Sequence, residues 1–72
     1  DLKGLKIVDA VSGENYGTLK DVMNTGANDI YVINNETGKE FLLPIIDGTI
    51  EEIDLENEFI SVNPIKGVFD DN

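Results

Sequence analysis

The chain has 72 residues, which is long enough for one small domain. It carries 15 Asp and Glu against five Lys and no Arg, so its net charge at neutral pH is −10. It also lacks Cys and His, which excludes a disulfide, a thiolate metal site and an imidazole acting as a base or ligand.

The charge balance limits the kind of partner that the chain can bind. Lys and Arg drive binding to phosphate backbones by releasing counterions, so this composition disfavours direct nucleic-acid binding. The acidity either keeps the domain soluble or attracts a basic protein, and charge alone leaves both readings open. No apolar run is long enough for a membrane span and nothing resembles a secretory signal, so we expect a cytoplasmic protein with no membrane partner.

Short apolar runs recur about every ten residues between clusters of Gly, Asn and Asp, a pattern typical of an all-β barrel or sandwich. The third and fourth predicted strands form a hairpin, since Gly38 can supply the positive φ that a short turn needs. Pro44 is expected to end the fourth strand because it has no amide hydrogen. In chain order, the predicted strands cover residues 5–11, 16–24, 29–34, 40–43, 50–54 and 58–62.

Six short strands favour a closed sheet, because closure removes two unpaired edges. The sequence therefore predicts a small, closed, six-stranded barrel with a short C-terminal tail, in which one or two helical turns could pack Val68 and Phe69 on the barrel. The alternation of several strands is imperfect, so the inner and outer faces could be exchanged in one or two of them. The predicted interior residues are Leu5, Ile7, Leu19, Ile30, Val32, Leu42, Ile53, Ile60 and Val62.

The only dense polar cluster is the series of carboxylates from Asp47 to Glu58. These two residues have the spacing of the first and last ligands of a calcium loop, but Glu52 stands where that loop needs Gly. We therefore interpret the cluster as a solvated strand face and expect no metal and no cofactor. The serines have no His to activate them, so the sequence does not predict an enzyme.

The chain stays apolar where a loop would ordinarily turn polar, from Leu43 through Pro44 and Ile45 to Ile46, and again at Val68 and Phe69. One reading is that these residues cover the open mouth of the barrel. The other is that they form an exposed patch that docks a partner or a sister domain.

Several short motifs resemble the PRC-barrel domain of the ribosome maturation factor RimM family, in family order and over essentially the whole chain. They are Asp1-Leu2-Lys3-Gly4-Leu5, Gly17-Thr18-Leu19 with Asp21-Val22, Thr25-Gly26-Ala27-Asn28-Asp29, Leu43-Pro44, Ile53-Asp54-Leu55 and Asn63-Pro64-Ile65-Lys66-Gly67. The resemblance implies an antiparallel-rich PRC barrel over residues 1–72, forming the C-terminal part of a two-domain protein. The start at Asp1 rather than Met agrees with a piece of a longer chain.

The resemblance also implies a function. Members of this family assist late assembly of the head of the small ribosomal subunit and the processing of its RNA, and they bind small-subunit ribosomal protein nineteen. We therefore expect this protein, the immature small subunit and the protein's own N-terminal domain as partners. An alternative is a stand-alone PRC-barrel protein, such as a sporulation- or photosynthesis-associated barrel. The expected partner-binding residues are Gly26, Ala27, Asn28, Asp29, Leu43, Pro44, Ile45, Ile46, Val68 and Phe69.

Overall fold

The fold is a single six-stranded β-sheet. A computed structural model describes residues 2–64 and 67–69, and within those ranges it contains strands and turns but no helix. Every predicted strand is confirmed, with ends that shift by one or two residues. The strands are β1 Lys6–Asp9, β2 Asn15–Asn24, β3 Asp29–Asn34, β4 Glu40–Ile45, β5 Ile50–Asp54 and β6 Phe59–Val62.

The strand order in the sheet is β4-β3-β2-β1-β6-β5, so β4 and β5 are its two edges. The prediction of a closed, antiparallel-rich barrel is therefore wrong on both points, because the sheet is not closed by hydrogen bonds and is mixed, with β1 and β6 parallel. The connection between β4 and β5 gives a physical reason for the open edge. The pairing directions make β4 and β5 run the same way, and parallel neighbours need a crossover of about a dozen residues or more, whereas residues 46–49 alone join these strands.

Pro44 does not end the fourth strand, contrary to the prediction. It lies inside β4 opposite Ile30, and pairing continues to Ile45 opposite Asp29. An edge strand bonds to one neighbour only, so a missing amide hydrogen is tolerated there better than in a central strand.

The core lies on one face of the curved sheet. Six of the nine predicted interior residues are buried: Leu5, Ile7, Leu19, Ile60 and Val62 in the main core cluster, and Val32 outside that cluster at 6% exposed. The remaining core residues are Tyr31 and Ile33 of β3 and Phe41 and Leu43 of β4.

The predicted inner faces of β3 and β4 are wrong, and the predicted interior position of Ile53 is also wrong. Leu42 and Ile53 are exposed and Ile30 is half-buried, while Val32, although buried, lies on the face opposite Tyr31 and Ile33 because side chains alternate along β3. Both faces of β3 carry apolar residues, so alternation could not choose between them.

The described part of the tail covers the sheet rather than standing away from it. Val68 and Phe69 are half-buried against the core, and the Phe69 ring stacks on Tyr16 with 3.9 Å between ring centroids. The Phe41 ring lies 5.1 Å from the Phe69 ring in a tilted arrangement. Residues 67–69 form a turn and not the helical turns suggested above, and the rest of that suggestion concerns residues 65, 66 and 70–72, which lie outside the described ranges.

Asp9 organises the turn between β1 and β2. Its Oδ1 accepts hydrogen bonds from the backbone N–H groups of Val11 and Ser12, and its Oδ2 accepts one from the Tyr16 hydroxyl at 2.5 Å. Chiefly because the Tyr16 hydroxyl donates to the charged carboxylate, the pKa of Asp9 falls from 3.8 to about 2. The same hydrogen bond fixes the Tyr16 ring, which stacks on Phe69.

Two further features are absent from the described residues. They contain no helix with the length and apolarity needed to traverse a lipid bilayer. Among them, no cluster of three or more Asp or Glu side chains is placed to hold a metal ion.

Candidate partner-binding site

Two of the three segments predicted to bind a partner lie side by side. The register of β3 and β4 places Asp29 opposite Ile45, which brings the β2–β3 corner next to the end of β4. We call residues 26–29 together with residues 45–47 the turn surface. Two shallow concavities of about 280 and 520 Å³ lie on it, and both are lined by Asn28 and Ile45.

Local hydrogen bonds fix the β2–β3 corner. The Asn24 Oδ1 accepts the Gly26 N–H at 2.8 Å, and the Thr25 hydroxyl donates to the Asn28 carbonyl at 2.8 Å. Gly26 has a φ of +90°, a backbone conformation that L side chains rarely adopt. Because side-chain oxygens satisfy the corner's own backbone groups, this half of the turn surface is shaped before any partner arrives.

The loop that follows β4 is fixed from inside the protein. Thr49 is only 2% exposed, and its Oγ1 accepts the Ile46 N–H at 3.1 Å while its own N–H donates to the Ile46 carbonyl at 3.0 Å. The next link is the Asn63 N–H, which donates to the Thr49 carbonyl at 2.8 Å. These bonds hold the loop in a conformation that leaves Ile46 46% exposed.

The turn surface is both apolar and acidic. Ile46 supplies an exposed apolar side chain, and Asp29 and Asp47 supply exposed carboxylates. Among the described side chains that line the two concavities, none is cationic. Such a surface suits a partner that carries Lys or Arg around an apolar anchor.

The rest of the predicted set lies elsewhere. Leu43 is fully buried in the core and Pro44 is half-buried within β4, so their contact with a partner stays a prediction. Phe69 packs on Tyr16 and Phe41, near the first residues of β2 and β4, and the adjacent Val68 packs against the core, whereas the turn surface lies at the last residues of these strands. The structure therefore does not bring Val68 and Phe69 to the turn surface.

Two residues that line the concavities were missed at the sequence level. Asn24 and Asp47 directly flank the predicted segments, one before the corner and one after Ile46. Asp47 could have been found from its position, since it is the first polar residue after the apolar run. Asn24 could also have been found, since an Asn side chain commonly accepts the backbone N–H two residues on in a turn, here that of Gly26.

A larger concavity of about 570 Å³ lies at the other end of β2, lined by Lys6 and by residues 15–18 and 34–37. The side-chain amide oxygens of Asn15 and Asn35 already accept hydrogen bonds from neighbouring backbone N–H groups. The Asn15 Oδ1 accepts the Gly17 N–H, and the Asn35 Oδ1 accepts the N–H groups of Thr37 and Lys39. We therefore regard it as a space between turns rather than as a second site.

Comparison with known proteins identifies relatives of the whole chain. The sequence model of the RimM PRC barrel domain matches residues 1–68. The ribosome maturation factor RimM of Lactobacillus johnsonii is 38% identical over 100% of this chain and 42% of its own length. That of Ruminiclostridium cellulolyticum is 40% identical over 97% of this chain and 41% of its own length.

A solved structure gives the same result. The crystal structure of a putative 16S ribosomal RNA processing protein RimM from Pseudomonas aeruginosa matches with a TM-score of 0.76 at 32% identity. The match covers 86% of this chain and 40% of the other. The chain thus spans about two fifths of the length of these relatives.

Proposed function

Because the chain belongs to the family of RimM PRC barrel domains, we propose that it is the binding module of a ribosome maturation factor. In this proposal the whole protein assists late assembly of the head of the small ribosomal subunit and the processing of the small-subunit RNA. The module acts in the cytoplasm by binding, as an assembly chaperone, and not by catalysis. It covers residues 1–72 as the C-terminal domain of a two-domain protein whose N-terminal domain is a further partner.

The proposed partner is small-subunit ribosomal protein nineteen within the immature subunit. The observation that carries this assignment is the turn surface, where the exposed Ile46 lies beside Asp29 and Asp47. A basic ribosomal protein fits it, because attraction between opposite charges speeds encounter and an apolar anchor slows dissociation. The net charge of −10 supports the same choice and disfavours direct contact with RNA.

The test is a titration of the ¹⁵N-labelled chain with purified ribosomal protein nineteen, followed by chemical shifts and by calorimetry. We expect the largest shifts at residues 26–29 and 45–47. The variant Asp47→Lys should weaken binding by about tenfold, since reversing one interfacial charge costs on the order of 1.4 kcal/mol.

The matched control is Glu36→Lys, which changes the net charge equally. Glu36 is exposed in the β3–β4 turn, about 17 Å along the strand from Asp29, which exceeds the screening length of about 8 Å at physiological salt. We expect this control to change the affinity by less than about twofold. Equal effects of the two variants would reject the turn surface and leave only general attraction between opposite charges. An absence of binding by the unaltered chain would reject the proposed partner.

A further inference from the structure

Strands β2, β3 and β4 carry apolar side chains on the face that points away from the core. Cross-strand partners share a face of a sheet, and Ile30 pairs with Met23 on one side and Pro44 on the other. One row further along, Val32 pairs with Leu42 on one side and with the acidic Asp21 on the other. We call Met23, Ile30, Val32, Leu42 and Pro44 the outer face.

The outer face is incompletely covered. Leu42 on the edge strand β4 is 52% exposed, and Met23 near the end of β2 is 40% exposed, although both are large apolar residues. A strand that is apolar on both sides, as β3 is, normally has protein packed against both sides. The main buried cluster lies on the core side, and on the outer face Val32 alone of the five is buried, at 6% exposed.

The charged groups around the outer face are paired with each other. The Lys3 Nζ lies 3.6 Å from the Asp21 Oδ1, and the Lys20 Nζ lies 2.8 Å from the Glu40 Oε2. Since β2 and β4 flank β3, the second ion pair spans β3. The border is therefore close to neutral, whereas the turn surface carries the exposed carboxylates of Asp29 and Asp47. A cationic ribosomal protein has no electrostatic reason to prefer the outer face, whereas an apolar protein surface fits it.

The relatives contain additional residues that would supply such an apolar surface. About three fifths of each relative's length lies outside the part that matches this chain. The segment around Lys3 lies along β2 at the border of the outer face, where the Gly4 N–H donates to the Leu19 carbonyl at 2.9 Å. Any residues that precede this segment would enter beside the outer face, so a domain attached there needs only a short linker to reach it.

We propose that the outer face is the docking surface for the other domain of the same polypeptide. This inference rests on the two-domain organisation in the proposed function, and it assigns the two surfaces to different partners. The outer face packs against the sister domain, and the turn surface remains free for the ribosomal component. Interfaces between domains of one chain typically bury about 600–1,500 Å², for which this face supplies the apolar centre.

The test uses the whole polypeptide as its gene encodes it, without any ribosomal component. The variant Leu42→Lys places a charge at the centre of the proposed interface, and Met23→Lys repeats the change at a second position. The control is Val11→Lys, because Val11 is 90% exposed in the β1–β2 turn and lies away from this face. The readouts are amide hydrogen exchange along β4 and the radius of gyration from small-angle X-ray scattering. Circular dichroism checks that each variant is folded.

We expect both outer-face variants to increase hydrogen exchange along β4 by about tenfold or more and to increase the radius of gyration, while Val11→Lys changes neither. Unchanged values in both outer-face variants would overturn the proposal, as would a gene that encodes only these 72 residues. Protection of β4 that depends on protein concentration would assign the face to a second copy instead. Protection that appears only with ribosomal protein nineteen would assign it to that partner. Failure of the ribosomal titration alone would leave this inference standing, because no ribosomal component enters its test.

Discussion

Gly17 is the position where a single methyl group should do most damage to this fold. It lies in β2 opposite Ile7, next to the irregularity in the β1–β2 pairing, and has a φ of +141°. A Cβ atom there would collide with the Asn34 carbonyl oxygen and lie 2.8 Å from the Asn34 carbonyl carbon and 3.0 Å from the Asn35 Cα. All three are backbone atoms, so no side-chain rotation can relieve the collision.

The expected cost of Gly17→Ala has three parts. Holding a non-Gly residue at this φ costs about 1–3 kcal/mol. Forcing β2 and β3 apart by the several tenths of an ångström that normal carbon contacts of about 3.5 Å require costs about 1–3 kcal/mol more. Reduced freedom of the unfolded chain offsets about 0.4–1 kcal/mol. The free energy of unfolding should therefore fall by about 2–5 kcal/mol, which is most of what a domain of this size possesses.

The matched control is Gly13→Ala. Gly13 also has a positive φ, +78°, but its added Cβ would meet nothing within 4 Å. That variant should lose only about 1 kcal/mol.

Urea unfolding followed by circular dichroism measures both variants, with the linear dependence of the unfolding free energy on denaturant giving the difference. A Gly17→Ala protein that fails to fold while Gly13→Ala folds would agree with the clash. Losses for the two variants that agree within about 0.5 kcal/mol would refute the reasoning, because strain in φ would then explain everything.

Two further predictions address the core and the Asp9 carboxylate. Leu43→Ala should reduce the free energy of unfolding by about 2–5 kcal/mol and Leu42→Ala by less than about 1 kcal/mol, as measured by urea unfolding; the reverse order would contradict the assigned faces of β4. The low pKa of Asp9, about 2 against 3.8, stabilises the fold above about pH 4, and this contribution is lost as the pH falls towards 2. Tyr16→Phe should raise the Asp9 pKa towards 3.8 and weaken that pH dependence, and a carboxyl pKa still near 2 in an NMR titration would exclude Tyr16 as its main cause.

The position of each strand was predictable because strand ends are set locally. Gly, Asn and Asp clusters mark turns whatever the rest of the chain does, and the turns at Gly13, Gly26 and Gly38 all have the positive φ that Gly adopts readily. The fourth strand is the exception. Its continuation through Pro44 depends on β4 being an edge of the sheet, which the local sequence does not reveal.

The faces of β3 and β4 were not predictable, because the residues on both sides are apolar. Which of Val32 and Ile33 enters the core depends on the register with β2, where a shift lies between Leu19 and Asp21. An irregularity of one residue reverses the side to which every later residue points. Only the pairing of the strands in three dimensions determines which residues of β3 and β4 face the core.

For the candidate site too, the sequence predicted some features and the tertiary structure decided the others. Composition alone indicated an acidic module that lacks His and Cys, and the apolar run ending at Ile46 marked half of the turn surface. That the β2–β3 corner adjoins this run follows from the register of Asp29 with Ile45, and that Phe69 does not adjoin it follows from its stack on Tyr16. Local chemistry thus determined which segments turn, pair or stay acidic. Long-range strand pairing decided which segments meet, because it joins residues that are distant in sequence.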